Sequence, residues 1–221
     1  MLIVVHELSH VAAAFYLKED IEEVIIYPFG GVTKINALLN SSIKKEIFIL
    51  IMGPIGQMLF YFMIFILYKY NLVNSSTFNN LTYLNFFLLI FNLLPILPLD
   101  GGRLLNNVLN FKFSFKNSHI ITIFVSCFVL VLLLLFLLFS VKIFYVIVLL
   151  LLIKSIFYEI KIHKIMFNKF VIERILYNFK FKKGEDLKNI NGLKRNKIHN
   201  FIVNNKIYNE REYILKYYLK N

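Results

Sequence analysis

Long uncharged runs set the pattern of this chain. Residues 47–68, 81–99 and 120–141 contain no charged side chain. Each is long enough to cross the ~30 Å hydrocarbon core of a bilayer as a helix. After a tight turn at Lys142, residues 143–158 form a shorter apolar run in which Lys154 can snorkel. Residues 2–17 are apolar except where His6, Glu7 and His10 interrupt them. Those ionisable groups, and the lack of a basic stretch before them, argue against a secretory signal. Runs from residue 47 onward are too long for strands, which argues against a barrel. The pattern therefore predicts about five transmembrane helices.

Two segments break the pattern. Along 21–35, Val24–Tyr27 and Val32–Ile35 can pair as a short hairpin around Pro28, Phe29, Gly30 and Gly31. An ordinary surface loop is the alternative. If the hairpin touches the membrane, its free edge could accept a peptide as an added strand. Beyond residue 158, Ile162, Ile165, Phe167, Phe170, Ile172, Ile175 and Leu176 interleave with Lys and Arg up to Gly184. This stretch reads either as a helix lying on anionic lipid or as a solvated linker helix. His199–Val203 then reads as a strand and Asn204–Asn205 as a turn. Asn209 and Glu212 form a capping box for a helix over 210–219.

Composition sharpens this reading. Hydrophobic residues make up 58% of the 221 positions and charged residues 17%, too few charges to cover a soluble fold of this size. The +12 net charge is uneven: residues 159–221 carry 15 Lys or Arg against 6 Asp or Glu, the first 158 only 10 against 7. The positive-inside rule puts 18–45, 100–118 and the tail on the cytoplasmic side, through Lys18, Lys34, Lys44, Lys45, Arg103, Lys112 and Lys116. Cys127 is the one cysteine, so no disulfide forms within the chain. The expected location is a membrane crossed several times, with a cytoplasmic tail.

Ionisable residues where lipid is expected point to chemistry. His6, Glu7, Leu8, Ser9 and His10 spell H-E-x-x-H. On a helix the two imidazoles share a face and can reach one metal, with Glu7 beside them to take a proton from a metal-bound water. Such a composition yields the pattern by chance about 0.005 times. Asp100 ends an otherwise uncharged stretch, NLLPILPLDGG at 92–102, and can supply a third ligand for zinc with a fourth position left for water. Pro95 and Pro98 break the helix there, and Gly101 and Gly102 permit a tight exit. Asn92 either bonds a substrate strand or caps the broken helix.

HELSH at 6–10 and NLLPILPLDGG at 92–102 together resemble the two signature motifs of the site-2 protease family of intramembrane zinc metalloproteases. The resemblance implies metal ligation by His6, His10 and Asp100, and a catalytic carboxylate at Glu7. PFGG at 28–31 resembles a family membrane hairpin, making Gly30, Gly31 and Asn92 candidates for positioning substrate. GPIGQ at 53–57 resembles a Gly-Pro element, with Gln57 where Asn is common.

Within the family the chain most resembles the stage IV sporulation protein FB type, which carries a cystathionine-beta-synthase (CBS) domain and activates a sporulation sigma factor precursor. The family places a helix before the zinc helix. With five residues before His6, that helix is expected to be missing here.

The fold expected is thus an all-α polytopic membrane protein with a small membrane-associated β-hairpin and a short α/β tail resembling part of a CBS domain. Its parts are a protease domain over 1–158, a basic linker over 159–183 and a regulatory or substrate-recruiting tail over 184–221. The function implied is a Zn²⁺ endopeptidase that processes a membrane-associated pro-sigma factor by regulated intramembrane proteolysis, in the mother-cell membrane around the forespore. Further partners implied are membrane inhibitory proteins, other copies of the chain and anionic lipid; no nucleic acid is expected. A catalytically inactive scaffold that binds a regulatory partner is the competing reading, and a transporter using the intramembrane acids is a second.

Overall fold

In the computed structural model, residues 1–27, 30–35, 38–137, 143–177, 179–203 and 206–220 are described. The turns expected at Pro28–Phe29, Lys142 and Asn204–Asn205 fall outside them. Among the described residues, seven α-helices and six strands run in the order α1 (Leu2–Tyr16), β1 (Ile21–Tyr27), β2 (Gly30–Ile35), α2 (Ile43–Lys69), α3 (Ser75–Leu93), α4 (Asp100–Leu109), α5 (Phe115–Leu137), α6 (Ile143–Leu176), β3 (Lys182–Lys183), β4 (Lys197–Ile198), β5 (Asn200–Val203), β6 (Lys206–Asn209) and α7 (Glu210–Lys220), with a 3-10 turn at Ile190–Gly192 between β3 and β4.

Among the described residues, two helices are long and apolar enough to cross a membrane, Ile43–Lys69 and Phe115–Phe136. This overturns the five-helix polytopic fold and the multi-pass location drawn from it. Each lost span has a physical reason. α1 is apolar but has 15 residues, about 22 Å at helical rise, short of the hydrocarbon thickness. The run expected over 81–99 stops at Leu93, because Pro95 and Pro98 cannot continue a helix. It reaches 19 residues only by extending back through Ser75, Ser76, Thr77, Asn79 and Asn80. The run over 143–158 is the first half of a 34-residue helix that continues unbroken into Glu159, Lys161 and Lys164.

The membrane-associated hairpin is also corrected. β1 and β2 form an open two-stranded antiparallel sheet, with Tyr27 opposite Gly30 and Ile26 opposite Gly31. Gly30 and Gly31, expected in the turn, lie inside β2. The sheet rests on α1, where Ile21 and Leu17 pack on a small core of Ala13, Ala14 and Ile49.

The chain forms two compact units: Met1–Ala37 with Lys44–Leu94 and Leu99–Gly101, and Leu38–Ile43 with Pro95–Pro98 and Gly102–Asn221. In the second, Phe115, Phe170, Val171, Ile190, Leu193, Phe201 and Ile214 make the core. Each contributes about 1.5–3 kcal/mol if fully buried. Phe115 stacks on Phe170 and Phe201 on Tyr213, both at 4.2 Å between centroids. Phe167, Phe170, Val171 and Arg174 reach this interior from α6 because spacings of three and four share a helix face. Arg174 is buried there and satisfied: it donates to Asn40 Oδ1, the Lys194 and Lys197 carbonyls and Glu210. β3 and β4 pair in parallel, β5 and β6 antiparallel.

Candidate metal centre

The first unit holds His6, Glu7 and His10 on the buried side of α1, with 2–4% of each residue exposed. α2 comes this close because two glycines face α1 at the tightest points of contact. A Cβ on Gly53 would stand 2.3 Å from His10 Nε2, and one on Gly56 would stand 2.6 Å from Ser9 Cβ. Small residues four or so apart are the usual means of bringing helix backbones together. Between them sits Pro54, which lacks the N–H that would close onto the Leu50 carbonyl. The neighbouring Ile49 carbonyl accepts a 2.8 Å hydrogen bond from His10 Nδ1.

His6 is anchored in a similar way. Gln57, fully buried, directs its amide nitrogen to the Asn85 carbonyl at 2.9 Å and to Asn85 Oδ1 at 3.1 Å. That leaves Gln57 Oε1 facing His6 Nδ1 at 3.1 Å. A carbonyl oxygen can only accept, so both imidazoles carry their proton on Nδ1 and turn a lone pair outward from Nε2. The two Nε2 atoms lie 3.2 Å apart and 2.9 and 3.2 Å from Asp100 Oδ2.

Three acceptors thus face one another. Asn92 brings a donor to one edge, its Nδ2 3.3 Å from His6 Nε2. With both imidazoles neutral nothing is donated between His10 Nε2 and Asp100, so a proton on that nitrogen or a metal cation balances the group. Burial disfavours charge on His10, yet Asp100, the Ile49 carbonyl and Glu7 together raise its pKa above the ordinary value. Burial would also raise that of Asp100, but the hydrogen bonds and charges of the two imidazoles hold it well below the usual carboxylate range.

The donor set fits zinc. The three ligand atoms lie within 4.8 Å of one another, and ligands at ~2.0–2.1 Å around a tetrahedral zinc stand about 3.3 Å apart. The bonds made by each Nδ1 are the outer contacts that orient metal-binding imidazoles.

Asp100 opens α4, and the glycines after it let the chain fold back. A Cβ on Gly101 would lie 2.2 Å from the Leu93 carbonyl oxygen, so only glycine fits against the end of α3. The structure therefore brings together His6, His10, Asp100 and Asn92, with Glu7 beside them on α1. Gly30 and Gly31 lie in β2. Sequence reasoning left Gln57 without a role and passed over Asn85 and the Ile49 carbonyl. The available signal was two amides in uncharged runs, which are costly in an apolar setting unless partnered.

Residues 1–77 and 70–136 match the model of peptidase family M50. The chain belongs to that family, the site-2 protease type of intramembrane zinc metalloendopeptidases. Stage IV sporulation protein FB of Bacillus subtilis (strain 168) is 33% identical over 133 residues, 60% of this chain and 46% of that one. A zinc metalloprotease of Methanocaldococcus jannaschii is 30% identical over 149 residues, 66% and 43% of the two chains. The chain thus spans less than half the length of these curated relatives. Among solved structures, the site-2 protease from Methanocaldococcus jannaschii superposes with a TM-score of 0.59 at 28% identity, covering 72% of this chain and 73% of that one.

Proposed function

We propose that this chain is a zinc-dependent endopeptidase that hydrolyses a peptide bond in or near a membrane-embedded segment of a protein substrate. The observation that carries this reading is the cluster of three acceptors, His6 Nε2 and His10 Nε2, both buried, and half-buried Asp100 Oδ2, whose imidazoles are both anchored through Nδ1. Zinc held by these three residues would supply Lewis acidity to the scissile carbonyl and to a water molecule. Glu7 takes the proton from the attacking water and returns it to the leaving amine. Ile49 and Gln57 keep the imidazoles in the ligating tautomer, and Asn92 offers a hydrogen bond at the edge of the centre. Gly30 and Gly31 in β2 hold an unwound substrate by strand addition.

Similarity to a stage IV sporulation protein supports a finer reading. The substrate is the precursor of a sporulation sigma factor of the pro-sigma K type, and processing is held in check by membrane inhibitory proteins. Residues 184–221 then act as a partial CBS-like recruiting or regulatory tail. The basic linker 159–183 meets anionic lipid, and self-association belongs to the same picture.

The test is zinc content per detergent-purified full chain together with cleavage of a co-expressed sigma precursor. About one zinc per chain and processing, both lost in Asp100→Asn, are expected. A folded chain that binds no zinc would refute the proposal. Zinc binding without processing would refute the sigma precursor as substrate.

A further inference from the structure

The two imidazoles of the first unit are anchored by different kinds of group. His10 Nδ1 donates to the Ile49 carbonyl, a backbone oxygen that can only accept. His6 Nδ1 faces Gln57, whose side chain ends in an oxygen on one side and an NH2 on the other. Turned end for end, the same amide would donate to His6 Nδ1. The His6 proton would then sit on Nε2 and bridge to Asp100 Oδ2, 2.9 Å away. That arrangement pairs both ring nitrogens without a metal and leaves His6 no lone pair for one. Gln57 therefore has a metal-ready and a metal-blind orientation. An imidazole can serve either, so His6 does not choose between them.

The choice falls to Asn85. Gln57 Nε2 lies 2.9 Å from the Asn85 carbonyl and 3.1 Å from Asn85 Oδ1, so one residue of α3 sets two oxygens before the same NH2 group. Gln57 and Asn85 are both buried. In the reversed orientation Gln57 Oε1 would meet those two oxygens, and buried acceptors without donors are costly. The Asn85 side chain can turn to relieve one of the contacts, but the backbone carbonyl cannot. His6, Gln57 and Asn85 all belong to the first unit.

We propose that Asn85 is a positioning residue for the metal centre: its two oxygens fix the orientation of Gln57, and Gln57 fixes the His6 proton on Nδ1. This inference rests on the zinc reading above. Asn85 acts two hydrogen bonds away from the ligand atom, through an outer contact of the kind that typically governs metal affinity by about 10–100-fold.

The experiment measures zinc affinity by chelator competition on the detergent-purified full chain, for Asn85→Leu alone and in a Gln57→Glu background. Asn85→Leu keeps the backbone carbonyl and loses Oδ1, so zinc should bind about ten-fold more weakly, the lower end of that range. In Gln57→Glu both ends of the group are oxygens, and Asn85 Oδ1 becomes an opposing acceptor. There the same substitution should leave zinc binding unchanged or tighten it. An equal loss in both backgrounds would mean that Asn85 only packs α3 on α2, and would overturn the proposal. The orientation itself is read in the metal-free chain, from nuclear Overhauser contacts of the Gln57 amide protons. These protons should lie against residue 85 in the unaltered protein and reach the His6 ring in a share of the Asn85→Leu molecules. Amide protons that stay wholly with residue 85 in the variant would equally overturn it. An unaltered chain that binds no zinc would overturn the functional reading instead, while the amide contacts still decide whether Asn85 sets Gln57.

Discussion

Replacing Gly53 by alanine sets two effects of opposite sign against each other. Gly53 lies inside α2, where alanine is favoured over glycine by about 1 kcal/mol. Helix propensity alone predicts a more stable protein. The new methyl, however, would stand 2.3 Å from His10 Nε2, 2.4 Å from His10 Cε1 and 3.0 Å from His6 Cε1. Carbon contacts are comfortable at about 3.5 Å, so the His10 ring must retreat by about 1.1 Å. The ring is tied to the Ile49 carbonyl by a 2.8 Å bond, which a retreat of that size breaks. Overpacking costs about 1–3 kcal/mol, which cancels or exceeds the propensity gain, and a ligand leaves the centre. Zinc affinity should fall at least about 100-fold, measured by chelator competition on purified protein, with helix content followed by circular dichroism. In a His10→Ala background only the 3.0 Å approach to His6 Cε1 remains, and the same substitution should cost less stability than it does beside His10. A Gly53→Ala chain that melts higher and holds zinc as tightly as the unaltered protein would refute the packing of α2 on the imidazoles.

Four further outcomes can be checked. Glu7→Gln should keep zinc and lose at least about 100-fold in cleavage rate, read by metal analysis and a processing assay on one preparation. Gln57→Leu strands His6 Nδ1 and Asn85, and should weaken zinc binding by about 10–100-fold while far-UV dichroism stays constant. Arg174→Met breaks a buried ion pair with Glu210 and should cost the second unit about 3–5 kcal/mol, seen as faster amide exchange in β5 and α7. Burial alone would raise the pKa of Glu210, but hydrogen bonds and charge from His199 and Arg174 hold it below the usual range. A lowered folded pKa gives stability that is present above the unfolded value of about 4.3 and is lost as pH falls through the folded one. Protection of the α7 amides relative to their intrinsic exchange rate should therefore fall below about pH 4.3, and by less in Arg174→Met.

The convergence of His6, His10 and Asp100 is legible in the sequence because helical periodicity fixes it. Positions four apart share a face, and a carboxylate at the end of an uncharged run needs a partner nearby. The contacts that make the cluster a ligating one are not legible in the same way. Gln57 and Asn85 are 28 residues apart on different helices, and which amide faces which imidazole depends on packing. The close approach at Gly53 and Gly56 is half legible: glycines in an apolar helix suggest contact, but the partner is set only by the fold.

The errors in the fold share one cause. Counting uncharged residues treats every run as a separate rod and ignores what lies at its ends. The run over 81–99 ends at two prolines, where a buried turn replaces the last helical turn and presents Asp100. The run over 143–158 ends at nothing, and the helix carries on into a basic stretch whose inner face builds the Phe170 core. The two strands pair as the alternation expects, Val24 opposite Thr33 and Ile25 opposite Val32, but β2 begins at Gly30, so the glycines that the side-chain pattern assigns to the turn pair instead with Tyr27 and Ile26. In each case the local pattern names the right residues and the ends of the element decide what they do, which is why Pro95, Pro98, Gly101 and Gly102 carry more of the architecture than the apolar runs they interrupt.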